Sequence, residues 1–353
     1  MRVARSDVTT WLDQVASLVG FRRLADRLPF DISPSMTAVL TGVVIDVFVL
    51  QPYQYLVGKT PTIVENPFWI LTPLTILTVV YLTRSLHRRY EQALKDMRIE
   101  ERTANYSQFQ TLVPDRFRWA CFLVFIGIIF VNLLFFITIP VVLKDGGIPA
   151  LFGNVVLVPF VYVPVATDAI ATYLGIQLVL PRRVENSDIE LDFLDPERLG
   201  GLRPVGELIK HSYYYTAGAI IGFAVFIYAP TLFDSLSQPI PPTAITNLLF
   251  TAAWLIAAGV LGHSLYIFHR FMHTQKREKL LELDQQFREV VDGPWDITNH
   301  QIPAGKQERA AEIQEHMNRI TSTKEYPATF AMWSQLLIGL ILPKAVQIAL
   351  SSV

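Results

Sequence analysis

The sequence contains a single cysteine, Cys121, among its 353 residues. One thiol excludes an intrachain disulfide framework and any zinc site built from several cysteines. Charge is also scarce, because Asp, Glu, Lys and Arg together make up 17% of the chain and the formal net charge is −1. Such a balance provides no basic surface for nucleic acid, and we expect no nucleic-acid partner.

The motifs of common enzyme classes are missing as well. Gly58-Lys59-Thr60 is not a phosphate loop, because Tyr53 stands where the first glycine should be. His269 and His273 are one helical turn apart, but the other five of the seven histidines are dispersed, which favours an interfacial basic patch over a metal site. We therefore predict no enzyme, no cofactor and no metal centre.

Long apolar runs dominate what is present, since 51% of the residues are hydrophobic. Runs of roughly 20 apolar residues are long enough to cross a bilayer as helices, and they lack the strict alternation of a membrane β-barrel. The sequence thus predicts an all-α, polytopic membrane bundle of about seven helices within residues 36–350. The predicted spans are Met36–Val57, Asn66–Leu82, Trp119–Val142, Ile148–Leu180, Tyr213–Phe233, Ala244–Phe268 and Ala328–Leu350.

The positions of the basic residues predict the orientation of these spans. Basic residues concentrate in cytoplasmic loops of membrane proteins. With seven spans, all 30 Lys and Arg residues fall on one side except Lys59, Lys144 and Lys344. We therefore expect a cytoplasmic N-terminus and an outer C-terminus.

The loops on the basic side are long and have helical patterns. Residues 1–35 lack the continuous apolar stretch of a signal peptide and are interpreted as a cytoplasmic amphipathic arm. Further cytoplasmic helical segments are predicted at 84–115, 181–212 and 269–327. Within the last one, apolar residues recur at three- and four-residue steps over 274–291 and 306–323, which predicts a helical hairpin. An intersubunit coiled coil is the alternative, although barely two heptads are present.

The stretch Asp188–Pro204 has a different pattern, because apolar and acidic residues alternate with a strand-like period of two. Its acids suit either a half-buried segment that faces solvent or a site for a hard cation.

Ionisable residues inside a span are costly and are candidate functional groups. Counting about 1.5 Å per residue from the cytoplasmic ends, Asp46 lies roughly 16 Å deep, Asp168 roughly 20 Å and the amide of Asn132 roughly 21 Å. This shared depth predicts an ion pathway near the midplane. His263 and Lys344 are the other embedded candidates, with Lys344 close enough to the outer surface to reach water.

Prolines strengthen the prediction for the fourth span. Pro159 and Pro164 precede Asp168, and proline removes a backbone donor and kinks a helix. A broken helix at mid-membrane often frames an ion or substrate site. The alternative is that Asp46 and Asp168 are each capped by a polar neighbour and serve packing alone.

Gly218 and Gly222 form a small-residue motif in the fifth span. Such a motif permits close approach of two helices, and we interpret it as packing within the subunit, with dimerisation as the alternative.

Together these features predict a membrane protein that conducts ions, most simply an oligomeric channel in the plasma membrane. The topology, with its long cytoplasmic extensions of spans two and six, is similar to that of insect chemoreceptor-type channels. A proton- or cation-coupled transporter is one alternative. Another is a non-conducting receptor or scaffold that binds a cytoplasmic protein through 274–323. The expected partners are the lipid bilayer, further copies of the chain and such a cytoplasmic protein.

Overall fold

A computed structural model of the chain describes residues 9–29, 32–65, 67–135, 139–229, 243–292, 294 and 301–351. Within these ranges the chain is helical and has no β-strand, only an isolated bridge between Asp292 and Gln301. The predicted all-α class is therefore confirmed.

Nine long helices carry the described fold. They are α1 (Trp11–Leu18), α2 (Pro34–Leu56), α3 (Pro67–Asp96), α4 (Asp115–Phe135), α5 (Gly146–Glu185), α6 (Arg203–Tyr228), α7 (Ala244–Val290), α8 (Gln307–Ser322) and α9 (Phe330–Ser351). Shorter turns of helix lie at Phe21–Ala25, Thr62–Glu65, Ile99–Arg102, Tyr106–Phe109 and Ala304–Lys306. A further helical segment, Ile139–Phe152, kinks at Gly147 and leads into α5.

Five of these helices are long and apolar enough to cross a membrane, namely α2, α3, α5, α7 and the part of α9 from Ala331 to Leu350. Between 22% and 39% of their most apolar stretches is buried, so most of their surface faces outward, as expected of helices surrounded by lipid. Helices α4 and α6 coincide with two further predicted spans but are not in this set. The count of seven spans therefore stays a prediction.

The largest buried core lies on the side where the sequence places the cytoplasm. It joins α3, α5, α6 and α7 to the connecting segments between them, and its fully buried members include Ile99, Phe109, Ile176, Leu202 and Phe268. Segments 84–115 and 181–212 thus pack against the inner ends of the spans as one folded layer.

The predicted helical hairpin is confirmed. Helix α7 runs without a break for 47 residues, about 70 Å at the usual helical rise, and so extends far beyond its apolar part. Helix α8 packs back along this extension, and Leu283, Ile313 and Ile320 form the buried seam. The apolar residues that suggested a coiled coil are therefore used within the subunit.

The predicted strand-like stretch after α5 is an irregular loop. Ile189 and Leu191 are buried while Glu190 is exposed, so the alternation is real although no sheet forms. Asp188 accepts hydrogen bonds from the Thr103 hydroxyl and the Ala104 backbone, and these bonds lower the pKa of its carboxyl group. This acid serves the fold of the loop, as the half-buried interpretation predicts.

Helix α6 packs between α3 and α9. Its residue Gly206 allows the link between α8 and α9 to lie very close to the first turn of α6. A Cβ atom on Gly206 would lie 1.7 Å from the backbone oxygen of Pro327, in the link between α8 and α9. Gly206 therefore fixes how near the hairpin link lies to the first turn of α6.

We predict that Gly206→Ala destabilises the protein, because backbone on both sides must move to admit the methyl group. Overpacking of this kind typically costs about 1–3 kcal/mol. The measurement is thermal unfolding of the purified protein in detergent. Gly218→Ala is the matched control, because a Cβ there meets no described atom within 4 Å and alanine favours helix. Equal melting temperatures for the two variants would contradict the prediction.

Candidate functional site: a polar cavity between two spans

The first of the predicted residues, Asp46, lies in a cavity between α2 and α5. The cavity has a volume of about 230 Å³, and its polar lining consists of Asp46, Gln51, Gln54, Asn154 and Tyr162. Asp46 is buried, with 8% of its surface exposed. The Tyr162 hydroxyl donates to its Oδ2 atom at 2.5 Å, and this bond joins the two spans.

Both walls of the cavity are π-helical, with Asp46–Leu50 in α2 and Gly153–Tyr162 in α5. Proline explains the second segment, because Pro159 has no N–H for the i→i−4 bond and a wider turn lets the chain continue as a helix. The predicted interruption of the α-helix at Pro159 is therefore a π-helical segment. The helix is widened rather than ended, and Pro164, which also lacks an N–H, lies at the beginning of the α-helical stretch that continues it.

A glycine brings the two walls together. A Cβ atom on Gly42 would lie 2.9 Å from the Val161 side chain, so the bare backbone admits Val161 one turn before Asp46. The contact sets the register in which Tyr162 reaches Asp46.

Asp168 belongs to a second, separate cluster at the inner ends of the helices. It is 1% exposed, and its Oδ1 atom lies 3.1 Å from the Nε atom of Arg118 in α4. The N–H of that nitrogen is not aligned with the carboxylate, so the contact is an ion pair rather than a good hydrogen bond. The backbone N–H of Leu12 donates to the same carboxylate. Arg118 also approaches the His87 ring of α3, which contacts the Thr172 hydroxyl at 3.2 Å.

The N-terminal helix α1 covers this cluster. Asp13 of α1 is buried, and it accepts hydrogen bonds from the Ser35 hydroxyl and from Arg84 Nη1, both at 2.6 Å. Thr10 and Asp13 also form a reciprocal capping box that starts α1. Trp11 packs edge-on against Trp119 with ring centroids 5.3 Å apart. Helix α1 of the predicted amphipathic arm therefore packs on α2, α3 and α4.

The structure places Asp46 and Asp168 in two separate clusters, so the two carboxylates do not share one site. Tyr162, the partner of Asp46, precedes Asp168 by six residues, which is about 9 Å along a helix. Arg118, the partner of Asp168, stands in the first turn of α4, at the end that the charge distribution places toward the cytoplasm. The sequence count from Leu180 missed this separation because it did not include the partners of the two acids, and the inner end of α5 belongs to the largest buried core. The side chain of Asn132 lies outside the described residues.

The remaining candidates do not join the cavity. Lys344 of α9 donates to Thr251 and to Gln347, at 3.0 Å and 2.6 Å, within a polar network between α7 and α9. It is satisfied there rather than reaching outward. His263 is exposed on α7.

The two glycines of α6 do not make the expected contact. A Cβ on either Gly218 or Gly222 would meet no atom of the described residues within 4 Å. The prediction of close packing within the subunit at these positions is therefore wrong.

The two neighbouring histidines at the inner end of α7 share an acid that sequence spacing does not reveal. Nδ1 of His273 lies 3.2 Å from the Glu325 carboxylate, and Nδ1 of His269 lies 3.2 Å from the Glu325 backbone oxygen. Although partial burial alone would raise it, the hydrogen bond from His273 and the charge of Lys276 lower the pKa of Glu325. Within the described part of the chain no three His, Cys, Asp or Glu side chains are arranged to hold a metal ion. The group instead ties α7 to the link before α9.

No known protein family, curated protein or solved structure matches the chain. The class of the protein therefore rests on its own fold, which is that of a helical integral membrane protein.

We predict that Arg118→Met destabilises the protein strongly, because it leaves the Asp168 carboxylate buried without its counter-charge. Removing one partner of a buried ion pair costs about 3–5 kcal/mol. Adding Asp168→Leu to Arg118→Met should recover much of that loss, since no unpaired charge remains. Thermal unfolding in detergent measures both, and Arg116→Met, at an exposed position two residues away, is the control. A melting temperature of Arg118→Met equal to that of the control would refute the role given to this ion pair.

Proposed function

We propose that this protein moves a small cation or a proton across the membrane and binds it at Asp46. The observation that carries the proposal is a buried carboxylate, inside an apolar span, at the edge of a 230 Å³ cavity with several other polar side chains. Carboxylates within spans that face a cavity commonly mark ion or proton pathways. We propose transport rather than catalysis, because the carboxylate and its polar neighbours lie within apolar spans, where such groups commonly serve ion movement.

The layer beneath the cavity favours a carrier over an open channel. Between Tyr162 and Asp168 lies a cluster of buried aliphatic side chains that includes Val39, Val43 and Val165. Among the described residues the cavity thus ends at an apolar barrier, with the Arg118–Asp168 cluster and α1 below it. A binding site that is closed on one side is what alternating access requires.

An oligomeric channel remains the alternative, and the outward-facing apolar surfaces of α2, α3, α7 and α9 leave room for further copies of the chain. A scaffold function through 274–323 finds less support, because the buried seam of the hairpin is formed within the subunit.

Flux into liposomes tests the proposal. We expect proteoliposomes to take up Na⁺, K⁺, protons or a small organic cation faster than empty liposomes. Asp46→Asn should slow that uptake about tenfold or more, because a hydrogen-bonded charge is lost from the binding site. Tyr162→Phe should slow it less, since it keeps the charge.

Asp26→Asn is the control, because it makes the same change at an exposed position outside the spans. Uptake equal to that of empty liposomes for every cation, or uptake that is unaltered by Asp46→Asn, would refute the proposal.

A further inference from the structure

We infer that the ligand of the Asp46 cavity is a small organic ammonium ion of single positive charge. The inference names the substrate class of the proposed transport site and rests on the proposed function for its role in transport. The binding itself is testable without transport.

The charge of the lining sets the charge of the ligand. Of the described residues that line the cavity, Asp46 is the one carboxylic acid, and the other polar side chains are amides, a phenol and the Trp69 indole. Tyr162 donates to Oδ2 of that carboxylate, which leaves Oδ1 to accept from an ammonium group. A single buried carboxylate is matched by one positive charge, because an unpaired buried charge on either partner is costly.

The polar side chains supply few oxygens to replace the water shell of a divalent metal ion. The Gln51 oxygen already accepts from the backbone N–H of Ile63, and the Asn154 nitrogen donates to the Ala150 oxygen, which leaves the Asn154 oxygen as one neutral ligand atom. Hard cations such as Ca²⁺ take six or more oxygen ligands, usually with several carboxylates. One carboxylate with partly engaged amides does not meet that requirement.

The size of the cavity fits an ion with carbon groups. A single water molecule needs about 10–15 Å³ of cavity volume. The 230 Å³ of this cavity is therefore far more than a bare metal ion would fill. The cavity is also smaller than the roughly 300–1,000 Å³ of pockets for drug-sized ligands. Most of its exposed lining is polar, and the smaller apolar part comes from side chains such as Leu50, Leu157 and Val158 and from the Trp69 indole. Methyl or methylene groups gain contacts there that a hydrated metal ion lacks, and an indole ring attracts a cation.

The cavity also provides a position at which its volume can be reduced. Gly153 lines the cavity, and a Cβ built on it meets no atom of the described part of the chain within 4 Å. A larger side chain at this position therefore enters the empty space without displacing backbone. Gly127 in α4 has the same open surroundings, but it lies outside the cavity and is exposed.

The test is isothermal titration of the purified full chain in detergent with tetramethylammonium chloride and with methylammonium chloride. Titrations with NaCl and KCl are the comparison, in phosphate rather than an amine buffer, because protonated amines would compete. We expect saturable binding of at least one ammonium ion to the wild type. Asp46→Asn should weaken it about tenfold or more. Gly153→Leu should weaken tetramethylammonium binding more than methylammonium binding, whereas Asp26→Asn and Gly127→Leu should bind as the wild type does.

The outcomes separate this inference from the proposed function. No saturable binding of either ammonium ion, together with Na⁺, K⁺ or proton flux that depends on Asp46, overturns the inference and leaves the transport function standing. Ammonium binding that depends on Asp46 and Gly153, without flux of any cation, supports the inference and refutes transport. Binding that is equally strong in Asp46→Asn and Gly153→Leu, both eluting as folded protein, also overturns the inference.

Discussion

The arrangement of the helices around the cavity depends on the buried contact between Arg118 and Asp168. A charged pair with almost no access to water is stable only if both partners stay together, so it fixes α4 against α5. His87 and Leu12 attach α3 and α1 to the same point. With the inner end of α5 held in this way, the position of Tyr162 along the same helix is determined, and Asp46 meets it.

The widened turns of α5 explain how one helix serves two polar clusters. A uniform α-helix could not continue through Pro159 without losing a hydrogen bond in an apolar environment, where an unsatisfied backbone group costs several kcal/mol. The π-helical segment absorbs the proline and opens space beside Gly153 and Asn154. The cavity is therefore a consequence of the same residues that keep the helix continuous, and the facing π-segment of α2 enlarges it.

More of the fold than of the candidate site could be predicted from the sequence. Apolar runs and helical periodicity sufficed for the helical class and for the α7–α8 hairpin, because those patterns directly reflect burial. They also singled out Asp46. They did not predict the ion pair of Asp168, because its partner Arg118 lies 50 residues earlier in the chain and resembles an ordinary basic residue at the end of a span. They also missed Tyr162 and Gly153, which no motif distinguishes from other apolar-span residues before the packing of α2 on α5 is known.

The most direct test of the central claim is whether the cavity beside Asp46 is open to water and fits an ammonium ion. The chain has one cysteine, Cys121, so Cys121→Ser provides a background for Gly153→Cys. We predict that the thiol introduced by Gly153→Cys reacts with a small, water-soluble, positively charged thiol reagent. Tetramethylammonium should slow this reaction and should not change the reaction rate of Gly127→Cys. A cysteine at 153 that does not react, or that reacts equally fast with and without tetramethylammonium, would contradict the account.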